Sequence, residues 1–236
     1  MKKYILTEER KKLNDGTIIY RIKAVRDILE IGVKAGDLGG WVEREENLSQ
    51  EGNAWVFGIA KVYGNARVSG DAWVTGNARV YGDACVFGNA LVSDSVVFGN
   101  ARVYDYAWVS GDAEVSGNAR VYGDALVFGN ALVSDSAEVF GNARVYDDAW
   151  VSDDAQVYDN AQVSGDAVVS GNAQVYDNAQ VSGDAEVSDN ARVYDDARVS
   201  GDAQVYDNAQ VSGVAEVSGN ARVYGDAWVS GNAVIN

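Results

Sequence analysis

A six-residue repeat is the feature that most restricts what this chain can fold into. From about Ala54 the pattern Ala-x-Val-[Ser/Tyr/Phe]-[Gly/Asp]-[Asn/Asp] recurs, with Val at positions 56, 62, 68, 74, 80, 86 and 92. One residue is missing near Ser95 and Val96, and from Val97 an aliphatic residue returns every six positions up to Ile235. Self-similarity at a fixed period over most of a chain indicates a repeat architecture.

Each repeat predicts one short strand and one bend. Ala and Val stand two positions apart, so on an extended strand they face the same side while the residue between them faces the other. That middle residue is mostly Arg, Gln, Glu, Lys or Trp, which suits a position in solvent. The Gly, Asp and Asn that follow tolerate left-handed backbone angles. We therefore expect Ala and Val in the core and a corner every six residues.

A second period predicts the size of one coil. An aromatic residue follows Val at intervals of 18 residues, at Tyr104, Tyr122, Phe140, Tyr158, Tyr176 and Tyr194. After Tyr194 the aromatic column shifts to Tyr206 and Tyr224. Three hexads then make one turn, and roughly eleven turns at the strand spacing of about 4.8 Å would make a rod about 50 Å long. The chain is thus predicted to be all-β, a single-stranded parallel β-helix.

Residues 1–37 have a different pattern. Asp15-Gly16 lies between two runs of apolar β-formers, which is a hairpin signal. An open first coil would expose its core and an unpaired strand edge. We therefore predict a small N-terminal β-hairpin cap over residues 1–37 and a hexapeptide-repeat β-helix over residues 38–236.

A family resemblance agrees with this division. The segments that carry it are Ile22-Lys23-Ala24-Val25-Arg26-Asp27, Val33-Lys34-Ala35-Gly36, Gly39-Gly40-Trp41-Val42 and Asn47-Leu48-Ser49 before Trp55-Val56. They resemble the YdcK-type hexapeptide-repeat proteins of bacteria and their prophages, within the hexapeptide acyltransferase-like superfamily. The resemblance implies a left-handed, triangular β-helix, commonly assembled as a trimer.

The resemblance also implies enzymes, but the residues argue against one. Acyltransferases of that superfamily use a His general base, and its γ-class carbonic anhydrases hold zinc with His. This chain has no His and one Cys, Cys85, and it has no loop inserted between hexads of the solenoid. We predict no catalytic residue and no required cofactor. An acyltransferase-like or ligand-binding site between subunits is the alternative.

The acidic charge excludes some partners and suggests others. With 35 Asp and Glu against 19 Lys and Arg, the net charge is −16, which disfavours direct binding to nucleic acid or to anionic membranes. The first residues lack the apolar run of a signal peptide, so a soluble, cytoplasmic protein is expected. One corner column aligns Asp148, Asp166, Asp184 and Asp202, which are weak candidates for cation binding. A DNA mimic is a further alternative.

The outward residues contain two apolar columns. Following the 18-residue period and the single deletion, the first column comprises Trp55, Trp73, Leu91, Trp108 and Leu126, and the second comprises Leu132, Trp150 and Val168. Exposed apolar patches of this kind mark interaction sites. We predict a non-catalytic structural or interaction module that forms a homo-oligomer, a dimer or trimer. The alternatives are that the N-terminal hairpin covers the first column, or that another protein binds it.

Overall fold

The computed structural model describes residues 2–236 as an all-β parallel solenoid of about eleven turns. Its strands form three sheets of 13, 11 and 10 strands, which are the three sides of the solenoid. Two 3-10 helices, Leu29–Ile31 and Glu45–Asn47, interrupt the strands near the N-terminus. No helix in the described part of the chain is long and apolar enough to cross a membrane. The predicted fold class is confirmed, while its left-handedness stays a prediction.

Sheet 1 begins with three longer strands, β1 (Tyr4–Lys12), β2 (Ile18–Ala24) and β3 (Leu38–Val42). It continues with Lys61–Val62, Arg79–Val80, Val96–Val97, Glu114–Val115, Leu132–Val133, Trp150–Val151, Val168–Val169, Glu186–Val187, Gln204–Val205 and Arg222–Val223. Sheet 2 comprises Trp55–Val56, Trp73–Thr75, Leu91–Ser93, Trp108–Ser110, Leu126–Val127, Arg144–Val145, Gln162–Val163, Gln180–Val181, Arg198–Val199, Glu216–Val217 and Val234–Ile235. Sheet 3 comprises Arg67–Val68, Cys85–Val86, Arg102–Val103, Arg120–Val121, Glu138–Val139, Gln156–Val157, Gln174–Val175, Arg192–Val193, Gln210–Val211 and Trp228–Val229.

The pairing register confirms the coil of three hexads. Gln162 pairs with Gln180 and Val163 with Val181, which is a step of 18 residues, and the same step holds between neighbouring coils elsewhere in the regular repeat. Repeat Ala and Val residues fill the interior, and nearly all are fully buried. A β-branched residue packs well on such a pleated surface. The solenoid therefore has one continuous core of small and medium apolar side chains.

The corners need a left-handed residue. In each repeat the position after Ser, Tyr or Phe is Gly or Asp, and at Gly70 φ is 67°. A Cβ at Gly70 would lie 2.9 Å from the backbone nitrogen and oxygen of Gly88 in the next coil. Glycine both relieves the backbone penalty and allows adjacent corners to approach closely.

The missing residue falls in a corner. Val96 pairs with Arg79, a step of 17 residues, and with Glu114 on its other side, a step of 18, so the sheet continues without a break. Ser95 takes the place of the buried Ala and donates its hydroxyl to the carbonyl of Val109 at 3.2 Å. The Asp94 carboxylate accepts the backbone N–H of Asn77 at 2.8 Å, and this bond is the main reason that the pKa of Asp94 is lowered. The missing residue therefore changes one corner locally and leaves sheet 1 continuous.

The N–H groups of the outward residues donate toward the following coil. Each outward residue donates its N–H to a carbonyl of the following coil, as Trp55 does to Ala72 at 3.1 Å and Phe57 to Val74 at 2.8 Å. Some carbonyls of the first coil, such as those of Ala54 and Ala66, therefore lack the backbone donor that a preceding coil would supply. Buried backbone carbonyls without a partner are costly, so some other group must donate to them.

Residues of the N-terminal segment supply those donors. The Lys3 ammonium donates to the carbonyl of Ala54 at 2.8 Å and reaches those of Glu51 and Gly52 at 3.3 and 3.4 Å. The Asn47 amide donates to the carbonyls of Gly64 and Ala66. The side-chain donors thus satisfy acceptors that the repeat itself leaves open.

An antiparallel hairpin stands at the start of sheet 1. β1 and β2 pair antiparallel, and the turn closes where Leu13 and Thr17 form a hydrogen bond, with Gly16 at φ 92°. β2 then pairs antiparallel with β3, which pairs parallel with the first repeat strand of sheet 1. The hairpin therefore extends sheet 1. The division into a cap over residues 1–37 and a β-helix over residues 38–236 stays a prediction.

Lys3 gives a stability prediction. Burial, and secondarily the charge of Arg26, lowers the pKa of Lys3 from 10.5 to about 8. Above about pH 8 the folded chain releases this proton while the unfolded chain still holds it, so the unfolded state binds more protons and stability rises with pH. Between pH 8 and pH 9.5 the free energy of unfolding should rise by roughly 1–2 kcal/mol more in the native chain than in Lys3→Met. Denaturant unfolding at several pH values measures this, and parallel pH profiles would contradict it.

Candidate functional site

The first predicted apolar column exists on the outer face of sheet 2. Trp55 pairs with Trp73, Trp73 with Leu91, Leu91 with Trp108 and Trp108 with Leu126. Trp73 is 39% exposed and Trp108 is 46% exposed, while the two leucines are half-buried. Large apolar side chains on consecutive strands therefore reach the surface together.

Trp55 does not belong to that exposed face. It is only 1% exposed, and the ring of Tyr4 in β1 meets it edge-on with ring centroids 6.2 Å apart. The Tyr4 hydroxyl donates to the carbonyls of Glu45 and Leu48, which holds the ring in place. The expectation that Trp55 faces solvent is wrong, because the N-terminal hairpin covers this one member of the column.

Two clefts lie along the exposed part of the column. One, of about 470 Å³, runs between the 3-10 helix Leu29–Ile31 and sheet 2. It is lined by the apolar Ile31, Trp73 and Leu91 and by the polar Glu30, Asn53, Asp71 and Asn89. The other, of about 260 Å³, is formed by Trp108, Ser110, Leu126 and Phe128. We call the surface formed by Ile31, Trp73, Leu91, Trp108, Leu126 and Phe128 the sheet 2 face.

Several residues in or beside the sheet 2 face were not predicted from the sequence. Phe57 packs edge-on against Trp73 with centroids 5.7 Å apart, and Phe128 helps to form the smaller cleft. Both stand two residues after a member of the column, and an apolar residue at that position was the available signal. Ile31 and the exposed Leu29 had no such signal, because only the folded chain brings their helix to sheet 2.

The second predicted column lies on sheet 1. Leu132 pairs with Trp150 and Trp150 with Val168, and Trp150 is as exposed as Trp108. The Trp150 indole donates to the hydroxyl of Ser134 at 3.2 Å. Glu114 and Glu186 occupy the adjoining positions of the column and limit it to three residues. This column is therefore shorter and more polar at its margins than the sheet 2 face.

The aromatic ladders stabilise the solenoid instead of forming a binding surface. The column from Phe87 to Tyr194 stacks ring on ring with centroids 4.9–5.1 Å apart. Because the faces cover one another, only the ring edges are available to a ligand. Burial in the ladder, and secondarily the charge of Glu138, raises the pKa of Tyr122 to about 12. Shorter ladders at Tyr63–Tyr81–Phe98 and Phe128–Tyr146 repeat this arrangement.

The corner aspartates have a folding role. Ten of them adopt φ near 60°, in the position that glycine occupies elsewhere. At this position the Asp153 carboxylate accepts the backbone N–H of Gly171 at 3.0 Å, and Asp195 accepts that of Gly213 at 2.9 Å. The same bond recurs at Asp147, Asp177, Asp189 and Asp207. These six carboxylates thus cap backbone donors of the following coil.

The predicted cation column lies one residue later in each corner. Asp148, Asp166, Asp184 and Asp202 are all exposed, and Asp148 accepts the side-chain amide of Asn130 at 2.8 Å. Across residues 2–236 no group of three or more His, Cys, Asp or Glu side chains is arranged to hold a metal ion. The column therefore presents single solvated carboxylates along the rod.

Comparison with known proteins agrees with the repeat geometry. A family model described as the YdcK β-solenoid repeat matches residues 60–76, 97–111, 113–127, 137–153, 155–171, 161–177, 185–201, 191–206 and 215–231. Together these segments include more than half of the chain. Each begins on or near a repeat Ala or Val and spans about one coil.

A curated relative matches a smaller part of the chain. The "Uncharacterized acetyltransferase YdcK" of Escherichia coli (strain K12) is 41% identical over 64 residues, which are 24% of this chain and 19% of the relative. The chain thus aligns with about a fifth of the length of that protein. The name belongs to that protein, and the alignment does not cover most of either chain.

The corner bonds can be tested with neighbouring aspartates. Asp153→Ala should lower the free energy of unfolding by about 1–2 kcal/mol, because it leaves the Gly171 N–H without its acceptor and places Ala in a left-handed conformation. Asp153→Asn keeps an oxygen acceptor and should stay within about 0.5 kcal/mol of the native chain. Asp154→Ala removes the same charge from an exposed carboxylate and is the matched control. Equal losses in Asp153→Ala and Asp154→Ala, measured by urea unfolding, would contradict the folding role.

Proposed function

The chain belongs to the YdcK β-solenoid repeat family, and from that premise we propose that it is a non-catalytic structural or interaction module that self-associates through the sheet 2 face. The observation that carries the proposal is the exposure of Trp73 and Trp108 on one flat side. Exposed aromatic side chains that anchor a partner are typical of the centres of protein interfaces.

The surroundings of these tryptophans support an interface. Leu91 lies between them in the column and Leu126 follows, so the apolar surface is continuous over four strands. Further along the same column stand Arg144, Gln162 and Gln180, which supply a polar margin. An apolar centre with a polar rim is the usual anatomy of a protein interface. We propose that the partner is a second copy, in a dimer or trimer, and that another protein is the alternative.

A non-catalytic role fits the side chains. Proton transfer and acyl transfer at neutral pH usually need a group that titrates near pH 7, most often His, and the chain has none. The name of the E. coli relative makes acetyl transfer the second candidate function. Saturable binding of acetyl-CoA, measured by isothermal titration calorimetry, would favour that second candidate over ours.

The acidic surface gives less support to a DNA mimic or a cation-binding rod. Either role requires carboxylates that are free to bind a partner, whereas many corner carboxylates accept backbone N–H groups of this chain.

We include a cytoplasmic location in the proposal, because a lone unpaired thiol, Cys85, suits a reducing compartment.

The proposal is tested by mass in solution. Light scattering after size-exclusion chromatography should give a dimer or trimer for the native chain and a monomer for Trp73→Glu/Trp108→Glu, because the two carboxylates would be desolvated at the centre of the interface. The control is Trp150→Glu, which has the same initial exposure as Trp108 but lies on sheet 1, and it should leave the oligomer intact.

Two results would contradict assembly through the sheet 2 face. One is a native chain that is monomeric at all accessible concentrations. The other is a Trp73→Glu/Trp108→Glu variant that keeps its folded circular dichroism spectrum and still forms the native oligomer. If Trp150→Glu alone dissociates the oligomer, the interface lies on sheet 1 instead.

A further inference from the structure

Positive charge is concentrated at one end of this acidic rod. Residues 1–37 contain nine of the 19 Lys and Arg residues but only six of the 35 Asp and Glu residues. The repeat region therefore carries the excess negative charge, and the hairpin end carries a net positive charge. An anion that approaches the molecule is attracted to the hairpin end and repelled by the remainder.

A cleft at that end collects cationic side chains. Its volume is about 360 Å³, and it lies between the hairpin turn, residues 12–15, and the outer face of sheet 1. Lys12 approaches from the turn, and Lys61, Tyr63 and Arg79 approach from the sheet. We call this space the hairpin cleft. It is large enough for a small organic ligand.

The cations of the hairpin cleft form no ion pair with a carboxylate of the described residues. Lys61 and Arg79 occupy paired positions on adjacent strands of sheet 1, where like charges repel. The pKa of Lys61 is lowered by burial and by the charges of Arg79 and Lys11. Across residues 2–236 the only ion pairs are Lys2–Glu45 and Arg120–Glu138, and both lie elsewhere.

One carboxylate, Asp15, lies at the edge of the cleft. It accepts the backbone N–H of Thr17 at 2.9 Å, which is the main cause of its lowered pKa. Its single negative charge belongs to the turn and opposes the three positive charges of Lys12, Lys61 and Arg79. The cleft therefore keeps an excess of positive charge.

The walls of the hairpin cleft are preorganised. Arg79 donates to the Tyr63 hydroxyl at 3.1 Å, and its guanidinium lies 5.4 Å from the centre of the Tyr81 ring. Tyr63 and Tyr81 are stacked 5.0 Å apart, and Tyr63 packs in a small cluster with Ile19 and Trp41. The guanidinium is thus fixed before any ligand arrives, which reduces the entropy lost on binding.

We propose that the hairpin cleft binds the phosphate group of a small phosphorylated ligand. A guanidinium offers paired N–H donors that match phosphate oxygens, and ammonium groups add point charges. Three cations suit a group with two or more negative charges better than a single carboxylate. The apolar side chain of Leu13 is available to the organic part of the ligand. This site is separate from the sheet 2 face and does not depend on it.

Inorganic pyrophosphate is the probe, titrated into the full chain by calorimetry at low ionic strength. The native chain should bind it saturably, and Lys61→Gln should weaken binding at least about tenfold, because a charge-assisted hydrogen bond is lost. Lys34→Gln removes the same charge from an exposed residue beyond the opposite end of β2 and should change affinity less than about twofold. Circular dichroism should show both variants folded as the native chain.

Vesicles that contain phosphatidic acid distinguish a lipid headgroup from a free phosphate. We expect pyrophosphate to bind and the vesicles not to sediment the protein. No heat of binding with pyrophosphate would overturn the proposal, as would equal affinities in Lys61→Gln and Lys34→Gln. Sedimentation with vesicles in the absence of any response to pyrophosphate would also overturn it and assign the cleft to a membrane surface.

Discussion

The ladder of hydrogen bonds between coils is the constraint on which the rest of the structure depends. Every outward N–H of one coil donates to a carbonyl of the next, so the coils stack in register and each outward position becomes a column along the axis. The same direction leaves carbonyls open on the first coil, where Lys3, Tyr4 and Asn47 donate to backbone acceptors. The hairpin that brings Lys3 and Tyr4 also buries Trp55 and overhangs sheet 1. The hairpin that closes the first coil therefore explains both why the apolar face begins at Trp73 and why a cleft exists at this end.

Because the interior and corner residues are needed for folding, a functional site can form only on the outward columns and at the ends of the solenoid. Ala and Val must fill the core, and Gly or Asp must turn each corner. Even the acidic character follows partly from folding, since Asp at a corner caps a backbone N–H that Gly would leave open. The outward residues have no such duty. For this reason Trp73 and Trp108 on sheet 2, where later outward positions carry Arg144, Gln162, Gln180 and Arg198, support an interface.

Features that the repeat determines could be predicted from the sequence. Contacts between distant parts of the chain could not, because they form only when the chain folds. The 18-residue aromatic period predicted the register between Gln162 and Gln180, and the Ala-x-Val spacing predicted the core. The Trp column was predicted as a column, but its exposure at Trp55 was wrong, because contact with Tyr4 joins residues about fifty positions apart. The hairpin cleft was missed for the same reason, since Lys12 and Arg79 meet only after the hairpin folds onto sheet 1. The hydrogen bond from the Gly171 N–H to the Asp153 carboxylate depends on the geometry of the corner, which the composition does not reveal.

The central claim is that residues 18 apart stand side by side on one flat face while residues 12 apart lie on different faces. Pyrene labels on Gln162→Cys/Gln180→Cys and on Gln162→Cys/Gln174→Cys, both in a Cys85→Ser background, test it directly. Gln162 and Gln180 are paired on sheet 2, whereas Gln174 lies on sheet 3. The account predicts strong excimer fluorescence from the first pair, unchanged on dilution with unlabelled protein, and monomer emission from the second. Excimer emission from the second pair, or none from the first, would contradict the three-hexad coil.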